Sequence, residues 1–116
     1  MTIPVQIHFH GIDASPAMES VLREKLEGIA SLEPRATACL AVIEPSDNRH
    51  RNGRVHRVTL RLAIPGDDIV VSRASETDHT HEDPYIALRD ACDALRRQLI
   101  ERNRAARDAH RRPQVG

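Results

Sequence analysis

The chain has 116 residues, of which 40% are apolar and 2% aromatic, so it can build one modest core of aliphatic side chains. Its 17 basic and 17 acidic residues cancel, and no apolar run approaches the roughly 20 residues that a membrane helix needs. These properties argue against a membrane protein. The N-terminus lacks the basic and apolar regions of a signal peptide, which predicts a cytoplasmic location.

The first half of the chain predicts a strand, a helix and a second strand. Residues 3–9 alternate apolar and polar side chains, as a half-buried strand requires, and Gly11 ends the pattern. Ser15 followed by Pro16 is typical of a helix N-cap with proline at the first helical position, and an apolar stripe follows. Residues 36–44 are apolar on both alternating faces, which predicts a strand covered on each side or shielded by small side chains.

The second half predicts a hairpin and a long helix. Residues 57–64 alternate most clearly, and a Pro-Gly turn at 65–66 leads to a fourth strand over 69–74. Asp83 before Pro84 repeats the N-cap signal, and an apolar stripe then runs for about four turns. The helix could continue to about residue 110 as an exposed extension that frays.

This element order predicts an α+β two-layer sandwich, β-α-β-β-β-α. Each helix has one apolar stripe, so we expect a four-stranded mixed sheet with both helices on one face. The strand–helix–strand unit makes the first two strands parallel if they are neighbours, and the short turn makes the last two antiparallel. We expect a single domain over residues 1–110 and a flexible tail over 111–116.

Charge is sorted into segments although the total is zero. Residues 49–61 hold five arginines and no acid, residues 67–83 six acids and one arginine, and residues 96–112 seven arginines and two acids. All the cations are arginine except Lys25. The planar guanidinium can bind a phosphate through two donors.

The last helix places arginine along one flank. Positions 89, 93, 96, 97, 100, 104 and 107 follow one another at helical spacing, and five of these seven positions are arginine: Arg89, Arg96, Arg97, Arg104 and Arg107. This flank predicts contact with the phosphate backbone of a nucleic acid, and a plain solvated surface is the alternative. No aromatic residues interleave, so base stacking is not indicated.

No known catalytic motif, cofactor or metal site is predicted. The potential metal ligands form two groups: His79, His81, Glu82 and Asp83, and, on strands that could share the open sheet face, His8, His10 and His56. The first group is better explained as a solvated loop and the second as partly exposed strand residues. Cys39 and Cys92 form no CxxC pair and are predicted to be buried core thiols.

Several segments occur in the order and spacing of one family. They are residues 82–88 (EDPYIAL), 95–99 (LRRQL), 12–18 (IDASPAM) and the hairpin 63–75. Through them the chain resembles, over about residues 3–110, the short type of the ribosome hibernation-promoting factor and ribosome-associated translation inhibitor family.

The resemblance implies a fold similar to double-stranded-RNA-binding domains and no enzymatic activity. It implies binding to ribosomal RNA in the messenger and tRNA channel of the small ribosomal subunit, which inhibits translation in stress or stationary phase. The RNA-binding residues that it carries over are Arg89, Arg96, Arg97 and Arg104 on the last helix and Arg23 and Lys25 on the first. The C-terminal dimerisation domain of long-type relatives is not expected.

Two other hypotheses remain open. A divergent family member could act as a protein-interaction module without binding ribosomes, using the acidic loop over residues 76–83. A metal-dependent activity built on His79 and His81 is the third hypothesis.

Overall fold

The computed structural model describes residues 3–45, 56–74 and 84–111. Within these residues the strands are β1 (Val5–Phe9), β2 (Ala38–Pro45), β3 (His56–Ala63) and β4 (Ile69–Ala74), and the helices are α1 (Pro16–Ala30) and α2 (Pro84–Arg111). The predicted α+β order is confirmed. The acidic loop over 76–83, which includes the predicted N-cap Asp83, and tail residues 112–116 lie outside the described residues.

The four strands form one mixed sheet in the order β1-β2-β3-β4. β1 pairs with β2 in parallel, and the other two pairs are antiparallel, as the sequence predicts. One row across the sheet is Val5, Cys39, Leu62 and Ile69, all of which are buried. The neighbouring row, which points to the other face, is Gln6, Leu40, Arg61 and Val70.

Both helices pack on the face of the sheet that carries the buried row. α1 contacts β1, α2 contacts β3 and β4, and the helices contact each other. Leu22 of α1, Leu60 of β3 and Leu95 of α2 have no exposed surface. The core is therefore aliphatic, as the near absence of aromatic residues requires.

The helices cover only one face of β2. Leu40 and Val42 lie on the open face and are half-buried, whereas Cys39, Ala41 and Ile43 are buried beneath the helices. The described residues provide no second layer over the open face. The continuous apolar pattern of β2 thus reflects a central strand whose flanking strands shield part of each side chain.

Local sequence signals set the ends of the first helix. The Ser15 side-chain oxygen accepts a hydrogen bond from the Met18 backbone N–H at 3.2 Å, and Pro16 is the first helical residue. At the other end the Ser31 backbone N–H donates to the Glu27 carbonyl at 3.1 Å. The predicted N-terminal cap is confirmed.

The hairpin between β3 and β4 is a tight turn. The Asp67 backbone N–H donates to the Ile64 carbonyl at 2.8 Å, and Gly66 between them has a φ of 82°. A type II turn places proline second and needs a positive φ at the third residue, which glycine adopts without steric cost.

The second helix is much longer than the sheet requires. It has 28 residues and is therefore about 42 Å long. Its last fully buried residue is Leu99, and residues 104–108 are all exposed. The exposed helical extension predicted from the sequence is present.

Candidate nucleic-acid interface

The helix α2 has two opposite faces. Leu88, Leu95 and Leu99 on one face are at most 1% exposed. The other face carries five exposed arginines, which we call the arginine ridge: Arg89, Arg96, Arg97, Arg104 and Arg107. Arg89 and Arg107 are 18 positions apart, so the ridge extends about 27 Å along the helix axis.

The guanidinium groups of the ridge are available for an external partner. None of the five forms an ion pair with a carboxylate of the described residues. Asp93 and Ile100 lie among them and Glu101 borders them, and these three line a shallow, open depression with Arg96, Arg97 and Arg104. Two carboxylates beside five arginines leave the ridge with a net positive charge.

The acidic residues of α2 are mostly displaced to one side of the ridge. Asp90, Glu101 and Asp108 are exposed and are spaced 11 and seven residues apart, so helical geometry places them on one flank. This flank faces β4, because Glu101 shares a surface groove with Val70 and Arg102. The exposed half of the helix is therefore divided into a basic and an acidic side.

The structure separates the two first-helix residues that the resemblance carries over. Lys25 is exposed on α1, which packs beside α2, and its charge opposes the rise in the pKa of the Cys92 thiol. The Arg23 guanidinium instead donates to the Val5 carbonyl at 2.9 Å and to the Glu19 carboxylate at 3.3 Å. Since Val5 is in the edge strand β1, Arg23 lies at the edge of the domain away from α2.

The two cysteines are core residues, as predicted. Cys39 and Cys92 are 2% and 3% exposed. Burial raises the pKa of Cys39 to about 12, with a further contribution from Cys92, and burial raises the pKa of Cys92 to about 11, although Lys25 acts against this increase. Both thiols are protonated at neutral pH, which makes them poor nucleophiles.

The histidines do not form one cluster. The rings of His8 and His10 are 6.2 Å apart and are exposed on the open face of the sheet. Arg57 lies on the open face of the sheet, and His56 directly precedes it, so strand alternation places His56 on the face that the helices cover. The prediction that the three histidines share the open face is wrong. Among the described residues, no group of three His, Cys, Asp or Glu side chains is placed to hold a metal ion. The second predicted group, His79 to Asp83, lies outside those residues.

Sequence reasoning missed one distinction among the arginines. It counted Arg102 with the other cations of the last helix, but the Nε and Nη2 atoms of Arg102 donate to one Asp67 oxygen at 3.0 and 2.6 Å. The two residues are 35 positions apart, and only the hairpin geometry brings them together. Helical spacing alone indicated part of this distinction, since it places Arg102 on the buried side of α2 and not on the ridge.

These features define a class of protein. A β-α-β-β-β-α sandwich with an exposed cationic helix is a small two-layer α+β domain. No helix among the described residues is long and apolar enough to cross a membrane.

The chain belongs to the family described as "Sigma 54 modulation protein / S30EA ribosomal protein", whose sequence profile matches residues 5–107. The family is one of ribosome-associated factors, not of known enzymes. This confirms the resemblance found in the sequence. The comparison with curated proteins finds no similar sequence.

Two solved structures have a similar fold. A ribosomal subunit interface protein from Coxiella burnetii has a TM-score of 0.66 and 17% identity, over 87% of this chain and 98% of the other. The Thermus thermophilus Protein Y N-terminal domain has a TM-score of 0.63 and 17% identity, over 85% of this chain and 96% of the other. At this identity the similarity establishes the fold alone.

Proposed function

We propose that this protein binds the small ribosomal subunit, contacts ribosomal RNA in the messenger and tRNA channel, and inhibits cytoplasmic translation during stress or stationary phase. Membership of a ribosome-associated family supports the ribosome as the partner. The arginine ridge, whose guanidinium groups lack carboxylate partners among the described residues, is the observation that supports RNA contact.

The mechanism is steric exclusion. Arginines along about 27 Å of a straight helix hold phosphate groups, and the sandwich behind them fills space that messenger and tRNA would occupy. No covalent step is required. The only two aromatic residues are Phe9 and Tyr85, both half-buried against the core, so base stacking contributes little. The protein therefore recognises the backbone and shape of folded RNA.

The proposed contact surface is the arginine ridge together with Lys25. Lys25 is exposed on α1, and α1 packs beside α2, so we include Lys25 as a contact of the same RNA. Arg23, which the resemblance also carries over, is a peripheral contact at the β1 edge, and its guanidinium is shared with Val5 and Glu19. We expect its contribution to binding to be smaller.

Co-sedimentation with small ribosomal subunits tests the proposal. Five phosphate contacts would weaken binding roughly 10²–10³-fold between 50 and 200 mM salt, because each contact releases condensed counterions. We expect the protein to pellet with subunits at low salt and to remain in the supernatant at high salt. Absence of pelleting at low salt would contradict the proposal and favour a family member that binds protein instead.

Charge reversal on the ridge provides the residue-level test. Arg96→Glu with Arg97→Glu should abolish pelleting and leave the thermal unfolding midpoint unchanged, since both side chains are exposed. Two single variants form a matched pair. Arg97→Gln removes one positive charge from the ridge, and its control, Arg61→Gln, removes one positive charge from the open face of the sheet. Equal effects of these two single variants would mean that net charge, not the ridge, controls binding.

A further inference from the structure

Two contacts hold α2 just after its last fully buried residue. On one side Arg102 donates twice to Asp67 of the β3–β4 turn, at 3.0 and 2.6 Å. On the other side the Asn103 side-chain amide donates to the Leu32 carbonyl, after the end of α1, at 3.2 Å. We call these two contacts the clamp.

The clamp determines where the unsupported part of the helix begins. A helix end without tertiary contacts frays, because each added turn gains little free energy by itself. Without the clamp, packing would end at Leu99, and all the turns up to Arg111 would be unsupported. With it, the supported helix extends to Asn103. We call the remaining helical residues, 104–111, the arm, and its residues 104–108 are exposed.

Arg102 belongs to the clamp and not to the ridge. Its side chain is 24% exposed, and its Nη1 atom is buried without a hydrogen-bond partner among the described residues. A phosphate outside the protein cannot reach that atom. Arg104 and Arg107, in contrast, are exposed and have no ion pair among the described residues. Neighbouring arginines thus have different roles at this end of the helix.

We infer that the clamp positions the arm, and that Arg104 and Arg107 of the arm bind RNA phosphates that the globular part of the domain does not reach. Along the helix axis Arg107 lies about 6 Å past Asn103, and the arm as a whole extends about 12 Å past it. This inference rests on the proposed function, since it assigns a separate segment of RNA to one end of the same surface.

Footprinting on the small subunit separates the arm from the rest of the ridge. Hydroxyl-radical protection of the ribosomal RNA by the full-length protein is compared with that by Arg104→Gln plus Arg107→Gln and by Arg89→Gln plus Arg96→Gln. We expect each double variant to lose a different protected segment. We also expect each to reduce the slope of log affinity against log salt by about one to two.

The clamp is tested by a variant in which the change of charge and the loss of positioning should shift RNA affinity in opposite directions. Asp67→Ala removes an acid, so charge alone would strengthen RNA binding, whereas loss of the Arg102–Asp67 contact of the clamp should weaken it roughly two- to fivefold, as the weak strength of exposed ion pairs implies. The matched control is Glu27→Ala, which removes an exposed acid of α1 and leaves the clamp intact. Asp67→Arg with Arg102→Asp should restore affinity and the arm footprint.

Each outcome decides between the two proposals. If the wild-type protein does not bind subunits, the proposed function fails. If it binds but the arm variant keeps its footprint and salt slope, the inference about the arm is wrong and the proposed function stands. If both Asp67→Ala and a second variant, Asn103→Ala, bind as tightly as Glu27→Ala and keep the arm footprint, the clamp does not position the arm.

Discussion

The two helices use arginine in different ways. On α1, Arg23 is held by the Val5 carbonyl of the neighbouring strand and by Glu19 one turn earlier. On α2, the five arginines of the ridge have no such partners among the described residues. The first arrangement satisfies the protein's own hydrogen-bonding groups, and the second leaves donors for another molecule.

This difference shows why counting cations is a poor guide to a polyanion-binding surface. The chain has equal numbers of acids and bases, yet its described ion pairs involve Arg23, Arg35, Arg61 and Arg102, none of which is on the ridge. Arg57 and Arg73 of the sheet also lack a carboxylate partner among the described residues and bond to oxygens of Ser72, but the five arginines of the ridge form the largest such group. A neutral protein can in this way present a strongly basic surface.

The largest expected effect is a loss of stability, and it should distinguish two adjacent residues on opposite faces of α2. Leu95→Ala should lower the free energy of unfolding by about 2–5 kcal/mol, because it leaves a cavity beneath a fully buried side chain. Arg96→Gln should leave stability within about 0.5 kcal/mol but reduce the salt slope of RNA binding. Urea denaturation and binding titrations measure the two effects, and a large stability loss in Arg96→Gln would mean that the ridge also supports the fold.

A smaller effect is expected at alkaline pH, from the thiols of the core. The pKa values of Cys39 and Cys92 are raised in the folded protein, so their stabilising contribution is complete below the unfolded pKa of 9.0 and is lost as pH rises towards 11 and 12. We expect a loss of about 1 kcal/mol per thiol by pH 10.

Thermal denaturation at pH 7 and pH 10 measures this loss, with Cys39→Ala plus Cys92→Ala as the comparison. The alanine variant should be less stable at pH 7 but should lose less stability between the two pH values. An equal pH response in both proteins would assign the alkaline effect to other groups.

The smallest expected effect is that of Arg23→Gln, and it tests the comparison of the helices directly. Loss of the bond to Val5 should cost about 1 kcal/mol of stability, since the side chain is partly solvated. RNA affinity should change less than in Arg89→Gln, which removes the same charge from the ridge. If Arg23→Gln weakens binding as much as Arg89→Gln, then the β1 edge is part of the main contact surface.

Much of the fold could be predicted because its signals are local. The Ser15 cap, the alternation of β3 and the turn at Gly66 each depend on a few neighbouring residues, and the structure confirms all three. The five ridge positions could likewise be found from helical spacing alone. The position of His56 was misjudged because one residue of register moves a side chain to the other face.

The contacts that distinguish structural from available arginines could not be predicted. Arg23 bonds to a residue 18 positions away, Arg102 to one 35 away and Asn103 to one 71 away. Each depends on how helices, sheet and hairpin are placed in three dimensions. A helical projection gives the direction of a side chain but not the element that lies opposite.

The bond between Arg23 and Val5 also affects how copies of the protein meet. β1 is at the border of the sheet, and such a border offers free backbone groups on which a strand of another molecule can add. Arg23 occupies one of these acceptors and brings a charged group beside it, which discourages the growth of intermolecular sheets. A bond that looks like minor helix packing thus helps to keep the chain from aggregating.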